Sequence, residues 1–161
     1  MYSFDSMIRY SETDKNEKLS VTGLVNYFQD CSSFHSETLH IGAQELAEAH
    51  CAWVLSSWQI VINRMPQILD CVKVSTWPYG FERFCGTRNF TLADKEGEII
   101  ACANSVWVFI NTDTGRPVIP ESKFRDAYIL EDKYEAMNYE GRKIFVPELM
   151  KKNGKLSCEK M

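Results

Sequence analysis

The sequence predicts an α+β domain in which an antiparallel sheet wraps one long central helix. Three observations support this prediction: an apolar face with helical period near the N-terminus, four later β-rich segments with a period of two, and short turn-forming breaks between those segments. Long strands joined by short turns form antiparallel sheets. A helix with one apolar face must bury that face against another element, and the sheet can supply the surface.

The first elements are a short strand and a polar turn. Residues Phe4 to Tyr10 alternate weakly between apolar and polar side chains, and Ser11 to Lys18 contain no apolar side chain. The pattern therefore predicts a strand that ends where the polar turn begins.

The long helix is predicted from Val21 to His40. Side chains suited to a buried face recur there at helical spacing: Val21, Leu24, Val25, Phe28, Cys31, Ser32, His35 and Leu39. Ser20 or Thr22 is the candidate N-cap, and Gly42 is the candidate C-cap. Gln44 to His50 are predicted to form a short second helix or a lid-like connection.

Four β-rich segments follow the helix: Ala52 to Asn63, Asp70 to Tyr79, Phe84 to Ala93 and Ile99 to Ile110. Turn-forming residues separate and end them: Arg64-Met65-Pro66, Pro78-Tyr79-Gly80, Asp94-Lys95-Glu96-Gly97 and Asn111-Thr112-Asp113-Thr114-Gly115. Large aromatic side chains supply one face of the sheet: Trp53, Trp58, Trp77, Phe90, Trp107 and Phe109. One strand, a turn, a long helix and four antiparallel strands is the element order of a hot-dog fold.

The whole chain has the size and composition of one domain, with 161 residues, 45% of them hydrophobic and 25% charged. We assign residues 1–120 to the hot-dog domain and residues 121–161 to a C-terminal extension. From Glu121 to Tyr139 the sequence is mixed and charged, and residues 147–161 are rich in lysine without any period.

Charge and hydropathy exclude some partners and predict a location. The net charge of −4 argues against a nucleic acid held mainly by phosphate contacts. The N-terminus lacks the basic start and apolar core of a signal peptide, and no apolar run approaches the ~20 residues of a membrane span. We therefore expect a cytoplasmic protein without a nucleic-acid or membrane partner.

The cysteines and histidines do not indicate a disulfide framework or a metal centre. The six cysteines are widely spread without a C-x-x-C pair, and the three histidines are not spaced with them as zinc ligands. Reduced, mostly buried thiols are the expectation, with no metal and no cofactor.

Several stretches between about residues 4 and 120 together resemble one family. They are Arg9-Tyr10-Ser11-Glu12-Thr13-Asp14 with its helix, Trp53-Val54-Leu55-Ser56-Ser57-Trp58-Gln59-Ile60, Thr76-Trp77-Pro78-Tyr79-Gly80-Phe81-Glu82-Arg83, Arg88-Asn89-Phe90 and Ser105-Val106-Trp107-Val108-Phe109-Ile110. This set resembles the acyl-acyl carrier protein thioesterases of bacteria and plants. The resemblance implies hydrolysis of fatty acyl thioesters in fatty-acid biosynthesis, with acyl carrier protein or acyl-CoA as the substrate carrier.

The resemblance also implies where the chemistry lies. Members of the family look like two hot-dog halves, with a catalytic Asp-x-Asn-x-His-Val-Asn-Asn motif in the second half. This chain matches the first half, and residues 142–161 resemble the linker before the second. Asp14-x-Asn16-x-Lys18 is the counterpart of the motif at the equivalent strand-to-helix turn. Asp14 and Asn16 are therefore the candidate catalytic residues.

The candidate chemistry at this turn has a structural alternative. Thioester hydrolysis needs a group that activates water and donors aimed at the oxyanion, and Asp14 with the helix N-terminus could supply both. Lys18 stands where the motif has histidine, and lysine, with an ordinary pKa of about 10.4, is a poor general base at neutral pH. In the alternative interpretation, Asp14 caps the turn and Asn16 adopts a left-handed conformation.

Five further residues are candidates for substrate binding: His35, Trp53, Trp58, Arg83 and Arg88. The tryptophans either line an acyl tunnel or fill the core. The arginines flank a strand start and either meet phosphopantetheine and acidic carrier-protein helices or are only solvated. His35 is otherwise a buried structural histidine, and Cys31 one turn earlier lacks the third group that an activated nucleophile needs.

The predicted function is that of an acyl-acyl carrier protein thioesterase-like hydrolase. A single hot-dog half exposes a sheet edge and part of its helix, which predicts self-pairing into a homodimer with a double hot-dog architecture. The alternative is a non-catalytic hot-dog module that binds an acyl chain or a partner subunit, because Lys18 replaces the histidine.

Overall fold

The computed structural model describes residues 1–139 as a five-stranded antiparallel sheet packed on one long helix. Its elements are β1 (Tyr2–Met7), a 3-10 turn (Tyr10–Glu12), α1 (Val21–Thr38), α2 (Ala43–Glu48), β2 (Cys51–Ile62), β3 (Cys71–Glu82), β4 (Cys85–Asp94), β5 (Ile99–Asn111) and α3 (Ser122–Arg125). The strand order is β1-β3-β4-β5-β2, with every neighbouring pair antiparallel. This arrangement confirms the predicted α+β hot-dog fold.

The start of α1 follows directly from its capping residue. The Ser20 side-chain oxygen accepts a hydrogen bond from the backbone N–H of Gly23 at 3.0 Å, which satisfies one of the unpaired donors of the first turn. Ser20 is therefore the N-cap, and Thr22 lies inside the helix. The helix then buries one face: Gly23, Leu24, Tyr27, Phe28, Cys31, Ser32 and His35.

The prediction that Gly42 caps the end of α1 is wrong. His40 adopts the left-handed conformation there, with φ 56°. The N–H groups of His40 and Ile41 donate to the carbonyls of Glu37 and Ser36, both at 3.1 Å, which closes the helix as a Schellman motif. Gly42 is instead the N-cap of α2, the predicted short second helix.

Two predicted strand boundaries differ from the structure. β1 ends at Met7 rather than Tyr10, because Tyr10 already begins the 3-10 turn. β3 continues through the predicted break at Pro78-Tyr79-Gly80, where a shift in pairing register accommodates the proline without ending the strand. The turn lies later, at Arg83 with φ 53°, in the loop between the paired residues Glu82 and Cys85.

The main core lies between α1 and the face of the sheet that the helix covers. Phe28 of α1 contacts Phe90 of β4, with ring centroids 5.2 Å apart, and Trp58 of β2 packs on Phe90 at 4.9 Å. Phe28 and Phe90 are fully buried. Each such ring contributes on the order of 2–3 kcal/mol through apolar burial, so these contacts fix the helix on the sheet.

The opposite face of the sheet is covered by residues 131–139, which we call the strap. The Trp77 indole N–H donates to the carbonyl of Asp132 at 2.8 Å. Asn89, with no exposed surface, accepts hydrogen bonds from the Tyr134 backbone N–H at 3.1 Å and from the Tyr139 hydroxyl at 2.9 Å. The domain boundary at residue 120 stays a prediction, and the linker-like residues 142–161 lie outside the described part.

No helix among the described residues is both long and apolar enough to cross a bilayer. No group of three or more histidine, cysteine or carboxylate side chains within residues 1–139 is arranged to hold a metal ion.

Candidate functional site

The structure contains a cavity of about 550 Å³ between the C-terminal half of α1, α2 and the helix-facing side of the sheet. Its apolar walls include Leu46, Ala47, Ala52, Trp53, Phe81 and Trp107. Its polar lining includes Ser32, Ser36, Glu37, Arg88 and Tyr128. A cavity of this size with mostly apolar walls and a few polar groups has the character of a small-molecule site.

The aromatic wall of the cavity depends on a glycine of β4. A Cβ atom built on Gly86 would lie 3.1 Å from the Phe81 ring and 3.2 Å from the Trp53 ring. The rings of Trp53 and Phe81 are 5.8 Å apart, and Trp53 also packs on Phe109 at 4.8 Å. Because Gly86 has no side chain, both rings can close over the strand and form a continuous apolar surface.

The polar end of the cavity is built around Arg88 of β4. The residue pairs with Pro78 of β3 and Ser105 of β5, and only 7% of its surface is exposed. Its Nη1 donates to Nδ1 of His35 on α1 at 3.1 Å and to the Thr76 hydroxyl at 3.3 Å. The helix and the sheet are therefore joined through a buried cation.

Burial and the arginine together set the protonation of His35. Loss of solvation, together with the positive charge of Arg88, lowers the pKa of His35 to about 4. At neutral pH the imidazole is therefore uncharged, and Nδ1 is free to accept the Arg88 hydrogen bond. Burial also raises the pKa of the Cys31 thiol to about 12, which makes it an unreactive core residue.

Tyr128 closes the polar end from the segment after β5. The Arg88 guanidinium carbon lies 5.1 Å from the centre of the Tyr128 ring, and the Tyr128 hydroxyl forms a 2.7 Å hydrogen bond with the hydroxyl of Ser36. The His35 ring meets the same tyrosine edge to face, with centroids 5.4 Å apart. An aromatic face stabilises a neighbouring cation, so Tyr128 holds the guanidinium in place.

The predicted catalytic pair, Asp14 and Asn16, lies in an exposed turn and does not line the cavity. The Asp14 carboxylate accepts the backbone N–H of Asn16 at 2.8 Å and of Lys18 at 3.2 Å, and these hydrogen bonds hold the pKa of Asp14 below its ordinary value. A carboxylate with a lowered pKa is a weaker base. The left-handed residue of the turn is Glu17, with φ 60°, so the expectation that Asn16 takes that conformation is wrong.

The five predicted binding residues separate into two groups. Trp53 and Arg88 line the cavity, and His35 contacts Arg88. Trp58 instead packs in the main core, and Arg83 is exposed at the β3–β4 turn, with its guanidinium 5.9 Å from the Phe84 ring. The roles of all five residues in substrate binding stay predictions. Only the first group lies at the cavity or in contact with a residue that lines it.

The sequence interpretation missed Tyr128 as a residue of this site. Residues after Pro120 show no extended period, but Phe124 and Tyr128 are four positions apart and both are buried. That spacing on the one-turn helix α3 and the residues after it is the available signal. A pattern of only two buried residues cannot be distinguished from a chance pair in the sequence.

The family model of the acyl-ACP thioesterase N-terminal domain matches residues 1–128. Among curated proteins, the chloroplastic palmitoyl-acyl carrier protein thioesterase of Gossypium hirsutum is 29% identical over 129 residues, which cover 75% of this chain and 31% of that protein. The chloroplastic oleoyl-acyl carrier protein thioesterase 1 of Arabidopsis thaliana is 26% identical over 136 residues, or 80% of this chain and 38% of that protein. The chain thus spans about a third of the length of these relatives.

Solved structures show the same architecture. An acyl-ACP thioesterase from Bacteroides thetaiotaomicron superposes with a TM-score of 0.78 at 28% identity, covering 92% of this chain and 61% of that chain. The 12:0-ACP thioesterase from Umbellularia californica gives a TM-score of 0.72 at 22% identity, covering 87% of this chain and 59% of that chain. The second likeness establishes the fold alone.

Proposed function

Because this chain belongs to the acyl-ACP thioesterase family through its N-terminal domain, we propose that it acts in the hydrolysis of fatty acyl thioesters in fatty-acid biosynthesis. The observation that carries the proposal is the cavity of about 550 Å³ beside α1. Within this role, the hot-dog half described here holds the acyl chain of the substrate.

The cavity walls suit an alkyl chain. Trp53, Phe81 and Leu46 present apolar surface, and each methylene group transferred from water to such surface contributes about 0.8 kcal/mol. The polar groups are confined to a few positions, which can orient a ligand without lowering the gain from apolar burial. We propose that the carrier is acyl carrier protein or coenzyme A.

Water activation is proposed to depend on a group outside the described residues. Asp14 is engaged by two backbone N–H groups and does not line the cavity. Glu37 does line it, but one of its oxygens accepts the backbone N–H of Ala43 at 2.9 Å. A second hot-dog half, in a longer form of the protein or in a second copy, would then supply the general base.

A second copy has a surface on which to assemble. β2 lies at the edge of the sheet, and three of its apolar side chains are exposed: Val54, Val61 and Ile62. An open edge with exposed apolar residues favours pairing with another chain. We propose a homodimer with a double hot-dog architecture.

A non-catalytic acyl-binding module is the second candidate. The engagement of Asp14 in its own turn favours it, because no candidate base among the described residues is both unengaged and beside the cavity. This candidate shares the acyl-binding cavity with the first and differs only in turnover.

The test is an assay on acyl carrier protein and coenzyme A thioesters from octanoyl to stearoyl, combined with direct binding of the same acyl groups. Binding with turnover is the expected result for a thioesterase. Binding without turnover supports the module for the 161-residue form of the protein, and absence of both overturns the proposal. Asp14→Asn is the matched variant, and we expect its rate to equal that of the unmodified chain.

A further inference from the structure

The guanidinium of Arg88 is a buried cation without an acidic partner among residues 1–139. No ion pair joins it to a carboxylate in this part of the chain, although the residue is only 7% exposed. Its polar neighbours are the neutral imidazole of His35, the hydroxyl of Thr76 and the hydroxyl of Tyr128. Neutral groups orient the cation without neutralising it.

A charge in this position opposes folding unless something compensates for it. Burying an arginine removes its hydration, and buried charges in proteins are normally paired with an opposite charge. Burial lowers the pKa of Arg88, but a guanidinium keeps its proton in proteins. Among the described residues only neutral groups and the Tyr128 ring face the guanidinium, so a bound anion is a suitable source of the compensating charge.

The anion can reach Arg88 through the cavity, which the arginine lines. The Glu37 carboxylate of α1 also lines the cavity, but it accepts the Ala43 N–H at the start of α2 and makes no ion pair with Arg88. Most of the remaining lining of the cavity is apolar, and it includes the aromatic side chains of Trp53 and Trp107. A ligand that satisfies both surfaces combines a negative head group with an apolar body.

We propose that Arg88 binds the carboxylate of a free fatty acid whose alkyl chain occupies the cavity. The inference rests on the proposed function, since hydrolysis converts an uncharged thioester into such a carboxylate. A guanidinium forms stronger, charge-assisted hydrogen bonds with a carboxylate than with a neutral carbonyl. Arg88 therefore favours the product over the substrate and makes the chain subject to product inhibition.

Binding can be measured with the protein's own tryptophans, because Trp53 and Trp107 line the cavity. We expect dodecanoate to quench this fluorescence saturably, with a dissociation constant at least tenfold lower than that of 1-dodecanol. Arg88→Gln should weaken dodecanoate binding at least tenfold and leave 1-dodecanol within twofold. Arg88→Lys should fall between, because it retains the charge and loses the two-pronged geometry.

The matched control is Arg116→Gln, which removes one positive charge from an exposed residue and should leave both ligands unchanged. Equal affinity of the unmodified chain for dodecanoate and 1-dodecanol would overturn the inference, and this comparison needs no variant to fold. Equal dodecanoate affinity in folded Arg88→Gln would overturn it as well. Turnover decides the proposed function separately, because a chain without turnover can still prefer the carboxylate.

Discussion

Nη1 of Arg88 lies 3.1 Å from Nδ1 of His35, so a sheet arginine donates a hydrogen bond to a helix histidine inside the protein. The contact requires a neutral imidazole, because a protonated ring has no acceptor. Protonation of His35 would also place a second positive charge beside the first. Acid should therefore break the connection between α1 and β4 at this point.

The first prediction concerns the pH dependence of stability. The pKa of His35 falls from 6.5 to about 4 on folding. Between these two pH values, His35 is therefore largely protonated in the unfolded chain and largely neutral in the folded chain. The free energy of unfolding should thus decrease as pH falls from about 6.5 to about 4 and stay reduced below that. At about 1.4 kcal/mol per pKa unit, the loss is about 3 kcal/mol.

Urea unfolding at several pH values measures this loss, and His35→Gln should remove most of it. His40→Asn is the control, because His40 is exposed and asparagine tolerates its left-handed backbone. The control should retain the dependence of the unmodified chain. An unchanged pH profile in His35→Gln would show that the histidine is not the group responsible.

The second prediction concerns the start of α1. Ser20→Ala removes the acceptor of the Gly23 N–H and should lower the free energy of unfolding by about 1 kcal/mol. Thr22→Ala, two positions later inside the helix, should cause no comparable loss. Chemical denaturation of both variants checks the assignment, and a larger loss in Thr22→Ala would contradict it.

The third prediction concerns the shape of the cavity. Gly86→Ala places a methyl group 3.1 Å from Phe81 and 3.2 Å from Trp53, so the rings must move or the cavity must narrow. We expect overpacking to cost about 1–3 kcal/mol and the preference for acyl ligands to shift toward shorter chains. Binding of fatty acids of graded length measures the shift.

The comparison for Gly86 is Gly80→Ala on the neighbouring strand. Its added Cβ would contact only the hydroxyl oxygen of Thr87, at 3.1 Å, and Gly80 does not line the cavity. Chain-length preference should be unchanged in this variant. If Gly86→Ala and Gly80→Ala bound fatty acids of graded length with the same preference, Gly86 would not determine which chain length the cavity accepts.

The fourth prediction concerns the strap. Asn89→Ala deletes the acceptor of Tyr134 and Tyr139 and the donor to the Ala103 carbonyl, so it should lower the free energy of unfolding by about 2–3 kcal/mol. Tryptic cleavage after Lys133 should become faster, as followed by mass spectrometry. Asn26→Ala, at an exposed position of α1, should change neither quantity. Unaltered cleavage in Asn89→Ala would mean that other contacts hold the strap.

The helix and strands could be predicted because their signals are local. The apolar face of α1, its Ser20 cap and the strand-forming residues of β4 lie in continuous stretches of the sequence, where local patterns indicate them. The sequence predicts the β3–β4 turn too early, because a proline such as Pro78 usually ends a strand, whereas here a register shift accommodates it. That shift depends on the partner strand and has no local signal.

The candidate site could be predicted only in part because its contacts are distant in the chain. His35 and Arg88 were each identified from the sequence, but they are 53 residues apart and nothing local indicates that they meet. Tyr128 comes 92 residues after Ser36, its hydrogen-bond partner. The motif at Asp14 correctly indicates the family. Asp14 itself, however, does not line the cavity.

Consecutive residues of β4 perform unrelated tasks on the two faces of one strand. Arg88 points toward the helix and the cavity, and Asn89 points toward the strap. A slip of one residue in the pairing of β4 would exchange them, burying an amide in the ligand space and a cation beneath the strap. The register of β4 against β3 and β5 therefore determines both the position of Arg88 in the cavity and the position of Asn89 beneath the strap. Mutations that disturb the packing of β4 on one face of the sheet should therefore change ligand binding as well as the attachment of the strap.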